Sequence, residues 1–457
     1  MTDTVYDMVI LGAGSGGYAA ALRGAQLGLR VALIEADKIG GTCLHRGCVP
    51  TKAILHSAET AEAVREAAAV GVRAAYQGLD MPAVQRYKNG VISRMYKGLQ
   101  GLVASRGIEV VGGWGRLVAR DTVEVSGRRY RGRNIVLATG SLSKTMGQEI
   151  SRPVMTSDQA LELDRVPASA VVLGGGVIGV ELASAWASMG SQVTIIEALP
   201  HLVPNEDEAI SKQLERAFRK RRIAFRTSTM FESVERTAAG VTVRTADGRT
   251  HDAEVLLIAV GRGPATANLG YEEVGVAMDR GFVLTDDYGR TNVEGVWAVG
   301  DIVPGVQLAH RGFAQGITVA EKIAGLDPRP VDDALVPKVT FCEPEIASVG
   351  LSEARAAELH GAENVTTSEF NVAGNAKSQI LGTQGFVKLV SLKDGPIVGF
   401  HAIGARMGEQ VGEGQLIVNW EADADDVAAL VHAHPTQNET LGEAAMALAG
   451  KPLHNHG

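Results

Sequence analysis

Cys43 and Cys48, separated by four residues in GGTCLHRGCVPTKA, are the residues of this sequence best placed to do chemistry. That spacing suits a disulfide at the start of a helix, where the helix dipole also favours a thiolate. Lys52 follows Cys48 by four residues, on the same helical face, and its cation favours the thiolate further. The remaining cysteine, Cys342, lies in an apolar strand pattern and reads as core. Three cysteines are too few for a disulfide-stapled secreted fold, and structural zinc would need more ligands at metal spacing. The pair therefore points to redox chemistry; the bland alternative is two buried, unpaired thiols. A second reactive constellation sits near the C-terminus, where His434-Pro435 is followed by Glu439. An imidazole oriented by a carboxylate is a general acid/base that works near neutral pH. A dithiol must lose a proton before it attacks a disulfide, so such a base supplies what the cysteines need. A C-terminal histidine taken alone is more often a surface or core residue.

Elements able to hold these groups surround them. YDMVIL is a buried strand, GAGSGG a turn, 18–27 a helix and RVALIEA a second strand. Gly12, Gly14 and Gly17 fit G-x-G-x-x-G: the first permits the tight turn, the second lets a pyrophosphate approach, the third lets helix pack on strand. Glu35 closes the second strand, where a carboxylate would bond a ribose hydroxyl pair. The arrangement recurs in SAVVLGGGVIGVELASAWASMGSQVTIIEA, with Gly174, Gly176, Gly179 and Glu197 in the same places. Glu197 would repel a 2′-phosphate, and no arginine follows it within 198–205, so this site favours NAD over NADP. Two such units imply two dinucleotides and hydride transfer between them. A helical region is expected from Pro50 to about Arg106, a mostly β stretch over 107–140, and strands over 241–261. After 335, VTFCEPEIASVG, GFVKLV and PIVGFHAIG read as an antiparallel sheet, and 412–431 as helical.

GGTCLHRGCVPTK resembles the active-site signature of the flavin-dependent pyridine nucleotide–disulfide oxidoreductases. The resemblance runs through the chain: GAGSGGY, NIVLATGS at 134–141, the second glycine turn, TNVEGVWAVGD at 291–301, LAH at 308–310 and HAHPTQNE at 432–439. Within that family it is strongest to the dihydrolipoamide dehydrogenases. It implies an α/β fold: two Rossmann-like dinucleotide-binding domains, for FAD and NAD, plus a C-terminal α+β dimerisation domain with an antiparallel sheet. The implied division is 1–147 and 268–335 for FAD, 148–267 for NAD, and 336–457 for the interface. The resemblance assigns tight, non-covalent FAD to the first glycine turn and NAD+/NADH to the second, which spacing alone leaves open. Gly41, Thr42, Lys52, Gly115, Thr139, Gly140, Ser141, Asp301 and Ala309 match FAD-contacting positions. Ile178, Glu181 and Gly261 join the NAD side, with Glu181 also matching a carboxylate that pairs with Lys52.

The implied reaction oxidises a dihydrolipoyl dithiol through the Cys43–Cys48 disulfide, with His434 and Glu439 as base and orienting acid. In relatives this histidine comes from the partner subunit of a homodimer, and its bond to proline is often cis; the sequence leaves open which subunit supplies His434. Lipoyl domains of a 2-oxoacid dehydrogenase or glycine-cleavage complex are the implied partners. Two departures stand out. Gln437 and Asn438 replace an apolar residue and a serine on the expected substrate side, and Ser15 replaces a frequent proline. The rival within the family is a glutathione- or mycothiol-type disulfide reductase using NAD(P)H. A non-catalytic scaffold and a flavin transhydrogenase fit the retained cysteine pair less well.

Composition bounds the rest. The chain has 457 residues, enough for about three domains at roughly 150 residues each. Its 55 glycines show no collagen-like period and point to tight turns. A net charge of −8 carries no nucleic-acid footprint, and the run Phe218–Arg222 reads as a solvated helix end. No apolar run approaches the ~18 residues a membrane helix needs, and the N-terminus lacks a basic leader, so a soluble cytoplasmic protein is expected. His432 reads as a positioning residue, Arg262 as either an NAD contact or a turn residue, and His454 and His456 as frayed surface rather than metal ligands.

Overall fold

The computed structural model describes residues 5–455. Strand β1 (Val5–Leu11) is apolar along nearly its whole length, and Met8, Val9 and Ile10 are fully buried. A strand apolar on both faces belongs inside a parallel sheet. It pairs in parallel with β2 (Val31–Glu35) on one side and with Arg128–Leu137 on the other. Helix α1 (Ser15–Gln26) makes the crossover between β1 and β2. The sheet gains a further parallel strand, Val296–Ala298, against Arg128–Leu137, so chain from far downstream completes the first unit. Helix Ala309–Ile323 then crosses α1 at close range: a Cβ on Gly316 would lie 2.3 Å from Gly16 O.

Beyond β2 the chain forms α2 (Gly41–Arg46) and α3 (Cys48–Glu66), followed by the long helix Met81–Ser105. The helical region expected from Pro50 to about Arg106 is present, with irregular chain between its two helices.

The second unit repeats the first. Strands Ser169–Leu173, Gln192–Ile196, Ala224–Arg226, Val255–Ile258 and Val154–Met155 form a parallel sheet around helix Val177–Ser188. An antiparallel three-stranded sheet, Phe231–Thr237, Gly240–Thr245 and Thr250–Ala253, is inserted before its last strand. The C-terminal unit is an antiparallel five-stranded sheet that includes Val365–Asn371, a strand the sequence pattern did not show. Helices Met407–Asn419 and Glu439–Leu448 pack on this sheet.

Three expectations are corrected. Cys342 is buried core, but it lies in the link between strands Lys338–Thr340 and Glu345–Gly350, where its thiol donates to Pro344 O. The basic run is not all solvated: Phe218 is fully buried, and Arg221 turns inward to bond Ser184, Ser188, Glu62 and Glu343 O. Its guanidinium fork ties α3 to the second unit. The tail is anchored rather than frayed at His454, whose backbone N–H and Nδ1 both meet Glu443. His456 lies outside the described residues. Among the described residues, no helix is long and apolar enough to cross a membrane, and no cluster of three metal-ligating side chains occurs.

Candidate active site

Gly40 and Gly41 both take positive φ, 105° and 57°, and turn the chain from β2 into α2. Only glycine adopts such a pair without strain. Gly41 also packs on the first glycine turn, since a Cβ on it would lie 2.7 Å from Gly14 Cα. Cys43 sits within α2, and Cys48 is the first residue of the 19-residue α3. The Cys43 thiol stands as hydrogen-bond donor to the Cys48 sulfur. That bond, aided by the Lys52 cation, brings Cys48 down to about 7 against the opposing effect of burial. The same bond, with burial and the nearby Cys48 charge, pushes the Cys43 thiol well up. The thiolate therefore belongs to Cys48, at the positive end of α3.

Lys52 is fixed by Glu181. Its ammonium donates to both carboxylate oxygens, at 3.0 and 2.9 Å, and sits 4.7 Å from the Phe341 ring centroid. Glu181 is buried in helix Val177–Ser188 and also accepts from Phe341 N at 2.9 Å. One carboxylate of the second unit thus orients the cation beside the dithiol, joining the Lys52–Glu181 pair the resemblance implies. Tyr18 was not singled out by the sequence. Burial, then the proximity of Cys43 and Cys48, pushes its phenol up to about 12. Its place just after the glycine turn was the available signal.

The two glycine turns can hold dinucleotide phosphates. Gly12 and Gly174 have φ of 102° and 100°, and a Cβ on Gly17 or Gly179 would strike the carbonyl of Gly12 or Gly174 at 1.8 or 1.9 Å. Gly14 and Gly176 differ from these: nothing lies within 4 Å of a Cβ on either. Both cap their helices with no side-chain hydrogen bond, so the first-turn N–H groups face open space. Ile178 lies in that first turn, and Gly261, at φ 101°, flanks the second turn's sheet end. Open cradles at uncapped helix N-termini fit pyrophosphate groups. Glu35 accepts from Ala13 N at 2.7 Å, and Glu197 from Gly175 N at 2.6 Å, so each acid stands at the rim of its turn.

Other residues expected around FAD meet at the edge of the first sheet. Thr139 Oγ1 lies 3.1 Å from Tyr271 Oη, and Ser141 Oγ donates to Asp301 at 2.5 Å. Gly140, between them, takes φ 74°. Arg262 donates Nε to Ser141 Oγ, Nη2 to Ser141 O and Nη1 to Ser143 Oγ. It is therefore not a turn residue but a cross-strand tie in Arg262–Pro264 that orients the Ser141–Asp301 pair. Ala309 starts its helix without a side-chain cap. Gly115 faces the core, where a Cβ would strike Leu11 at 2.6 Å. Thr42 lies in α2, one residue before Cys43.

His434 is held by a carboxylate from its own segment. Its Nδ1 is 2.8 Å from Glu439 Oε1, and its side chain is 72% exposed. Glu439 also accepts from Thr436 N at 2.7 Å; these bonds outweigh its burial and hold the carboxyl below its ordinary range. The His434–Pro435 bond is cis. The structure thus brings Cys43, Cys48, Lys52 and Glu181 together, and His434 with Glu439 separately; among the described residues no hydrogen bond joins the two sets. The departures at 437 and 438 both engage the chain's own interior. Gln437 is buried, and Asn438 Nδ2 donates to Glu413.

Residues 6–316 match the family model described as pyridine nucleotide-disulphide oxidoreductase, and residues 336–445 match that family's dimerisation domain. A dihydrolipoyl dehydrogenase of Bacillus subtilis is 37% identical over 473 residues, covering 99% of each chain. A mitochondrial dihydrolipoyl dehydrogenase of Arabidopsis thaliana is 36% identical, covering 98% of this chain and 91% of its own. Among solved structures, LpdA of Mycobacterium tuberculosis superposes with a TM-score of 0.90 at 26% identity, over 97% of this chain and 99% of that one. Sequence, fold and dithiol geometry agree: this chain belongs to the pyridine nucleotide–disulphide oxidoreductase family.

Proposed function

We propose that this protein is an FAD-dependent dihydrolipoyl dehydrogenase that oxidises dihydrolipoyl groups with NAD+. The observation that carries the reading is the polarised dithiol: Cys48 at the head of α3, hydrogen-bonded by Cys43 and flanked by the Glu181-held Lys52. In the oxidised enzyme the pair forms a disulfide. His434, oriented by Glu439, takes a proton from one dihydrolipoyl thiol. The resulting thiolate attacks Cys43 and expels Cys48 as a thiolate, which Lys52 and the helix dipole stabilise. The second substrate thiol attacks the substrate sulfur of the mixed disulfide and releases lipoyl disulfide; the departing Cys43 sulfur takes that thiol's proton, and His434 keeps the first. What bound FAD supplies is acceptance of the electron pair from the dithiol, re-forming the disulfide, and its delivery as hydride to NAD+. Gly12, Gly14, Gly17, Glu35, Gly41, Thr42, Lys52, Gly115, Thr139–Ser141, Asp301 and Ala309 would hold FAD. Gly174, Gly176, Ile178, Gly179, Glu181, Glu197 and Gly261 would hold NAD.

Glu197 supports NAD over NADP, because its carboxylate stands where a 2′-phosphate would lie. The matched dimerisation domain supports a homodimer. Exposed apolar residues on that unit, Trp420 and Val431 at 74% and 99%, suit burial against a second copy. We place the domain boundaries at 147, 267 and 335, and take lipoyl domains as the macromolecular substrate. Side-by-side rates with dihydrolipoamide plus NAD+ and with glutathione or mycothiol disulfide plus NADPH test the reading. The first pair should dominate; faster turnover of the second would replace this function with a low-molecular-weight disulfide reductase.

A further inference from the structure

We propose that Glu413 is a positioning residue for the base: a single carboxylate that ties down both ends of the segment carrying His434. This rests on the reading of His434 as the base. The segment His432–Asn438 is neither helix nor strand, so no ladder of backbone hydrogen bonds fixes it. Its two ends converge on one side chain. Glu413 Oε1 lies 2.8 Å from His432 Nε2, and Glu413 Oε2 accepts from Asn438 Nδ2 at 2.5 Å. His434 lies between those anchors and makes its own bond to Glu439.

The anchor is fixed to the core. Glu413 belongs to helix Met407–Asn419, which packs on the strands Glu345–Gly350 and Ile397–Gly404. The His432 ring is seated as well as bonded: a Cβ on Gly442 would come within 2.6 Å of its Nδ1, so only glycine leaves room for the imidazole there. Its side chain is 12% exposed, against 72% for His434. One imidazole is packed in and one is presented. Burial would raise Glu413, but the hydrogen bonds from His432 and Asn438 keep it ionised below its ordinary range. Charge-assisted bonds of this kind are about twice as strong as neutral ones. Asn438, one of the two departures in this motif, is the second anchor: its amide reaches one bond further than a serine hydroxyl would.

Glu413 acts on the reaction only through where it puts His434. Full-length holoenzyme carrying Glu413→Ala should oxidise dihydrolipoamide with a kcat lowered roughly tenfold, as expected when a base is misplaced by a fraction of an ångström. Reduction of ferricyanide by NADH, which needs no dithiol deprotonation, should be unchanged, as should the KM for NAD+. Glu413→Gln, which keeps one acceptor, should recover part of the loss, and Asn438→Ala should show a smaller drop of the same kind. In a His434→Gln background, Glu413→Ala should cost nothing further, because residues acting through one group are non-additive. An unchanged dihydrolipoamide kcat in Glu413→Ala, or an additive loss in the double variant, overturns the proposal. Should Glu413→Ala fail to fold, Asn438→Ala alone and with His434→Gln decides by the same criteria. A wild-type enzyme silent toward dihydrolipoamide overturns the reading of the base itself, and this role with it.

Discussion

At the first glycine turn a Cβ on Gly12 would sit 2.3 Å from Ala138 O; at the second, a Cβ on Gly174 would sit 2.4 Å from Ala259 O. The acids match as closely, Glu35 on Ala13 N and Glu197 on Gly175 N. The surroundings diverge. Both cradles are open at the second glycine, but more chain is packed beside and behind the first turn: Gly41 abuts Gly14, Val299 abuts Gly16, and helix Ala309–Ile323 crosses behind. The second turn is more open, and Val177, the first residue of its helix, is 41% exposed. The turn motif therefore makes a dinucleotide site, and what the rest of the chain folds around it decides residence. An enclosed site suits a cofactor that stays; an open one suits a cosubstrate that leaves every cycle. The dithiol belongs to the enclosed site, on chain that departs directly from β2.

The largest expected effect separates the dithiol from both turns. Cys48→Ser should lower dihydrolipoamide oxidation by roughly a thousandfold or more, in line with loss of one member of a catalytic unit. NADH-to-ferricyanide turnover in the same protein should persist, because both cradles are intact. Equal loss of the two activities would show that the sulfur pair is not specific to the first unit's chemistry. Next in size is a matched pair. Gly14→Val fills the first cradle and should yield protein purified without yellow colour. Gly176→Val should leave the colour and raise the KM for NAD+. Each hydrogen bond to a charged phosphate contributes about 1.5–3 kcal/mol, so losing one means a rise of roughly tenfold or more. Visible spectra and NAD+ titrations check both. The two variants behaving alike would erase the distinction between the sites.

Much of this was legible in the sequence, and for identifiable reasons. G-x-G-x-x-G with a trailing acid is a local requirement, set by backbone sterics over a few residues, so both turns were found where they stand. The Cys43–Cys48 spacing and the His434–Glu439 spacing are equally local. What escaped depends on chain brought from afar. Arg262 reads as an isolated arginine after a glycine, yet it ties Ser141 and Ser143, over a hundred residues earlier. Phe341 meets Lys52 and Glu181 only in the fold, its N–H donating to Glu181 across the boundary between the second and third units. Asn438 reads in sequence only as a change four residues past His434; the fold adds its bond to Glu413, on a helix 25 residues earlier. Strand Val365–Asn371 was missed because VTTSEFN lacks the apolar run of its neighbours. It is an edge strand, half of it exposed, and an edge strand needs no continuous apolar face.

A smaller effect tests how far the second unit reaches into the first. Lys52 lowers Cys48, and Glu181 holds Lys52. The thiolate form of Cys48 is present above its midpoint and lost as pH falls through about 7. In the two-electron-reduced enzyme, alkylation by iodoacetamide should therefore show an inflection near that pH. Lys52→Met removes a cation that favours the charged sulfur, so the inflection should move up, by about one unit. Glu181→Gln should move it less, and in the opposite sense, because Glu181 itself disfavours the thiolate. An inflection that ignores Lys52 would mean the hydrogen bond from Cys43 and the helix dipole set the thiolate unaided.

The smallest effect asks what the wall around the first turn contributes to stability. Tyr271 is 1% exposed, and its hydroxyl meets Thr139 at the sheet edge beside the first turn. Burial pushes this phenol well above its ordinary range, and the bond to Thr139 only partly opposes that, so it stays neutral at any working pH. Tyr271→Phe removes one neutral hydrogen bond from a buried site and leaves the ring packing intact. Such a bond contributes about 0.5–1.5 kcal/mol net, and in a unit of roughly 150–250 residues about 1 kcal/mol lowers Tm by about 2–4 °C. The loss should be flat with pH across the neutral range, since neither partner titrates there. It should also be confined to the flavin-bearing unit: thermal release of yellow colour should come earlier, while the KM for NAD+ stays put. A shift in the NAD+ KM of the same size as the colour shift would mean that the two turns are mechanically one body, and that enclosure is shared rather than belonging to the first turn alone.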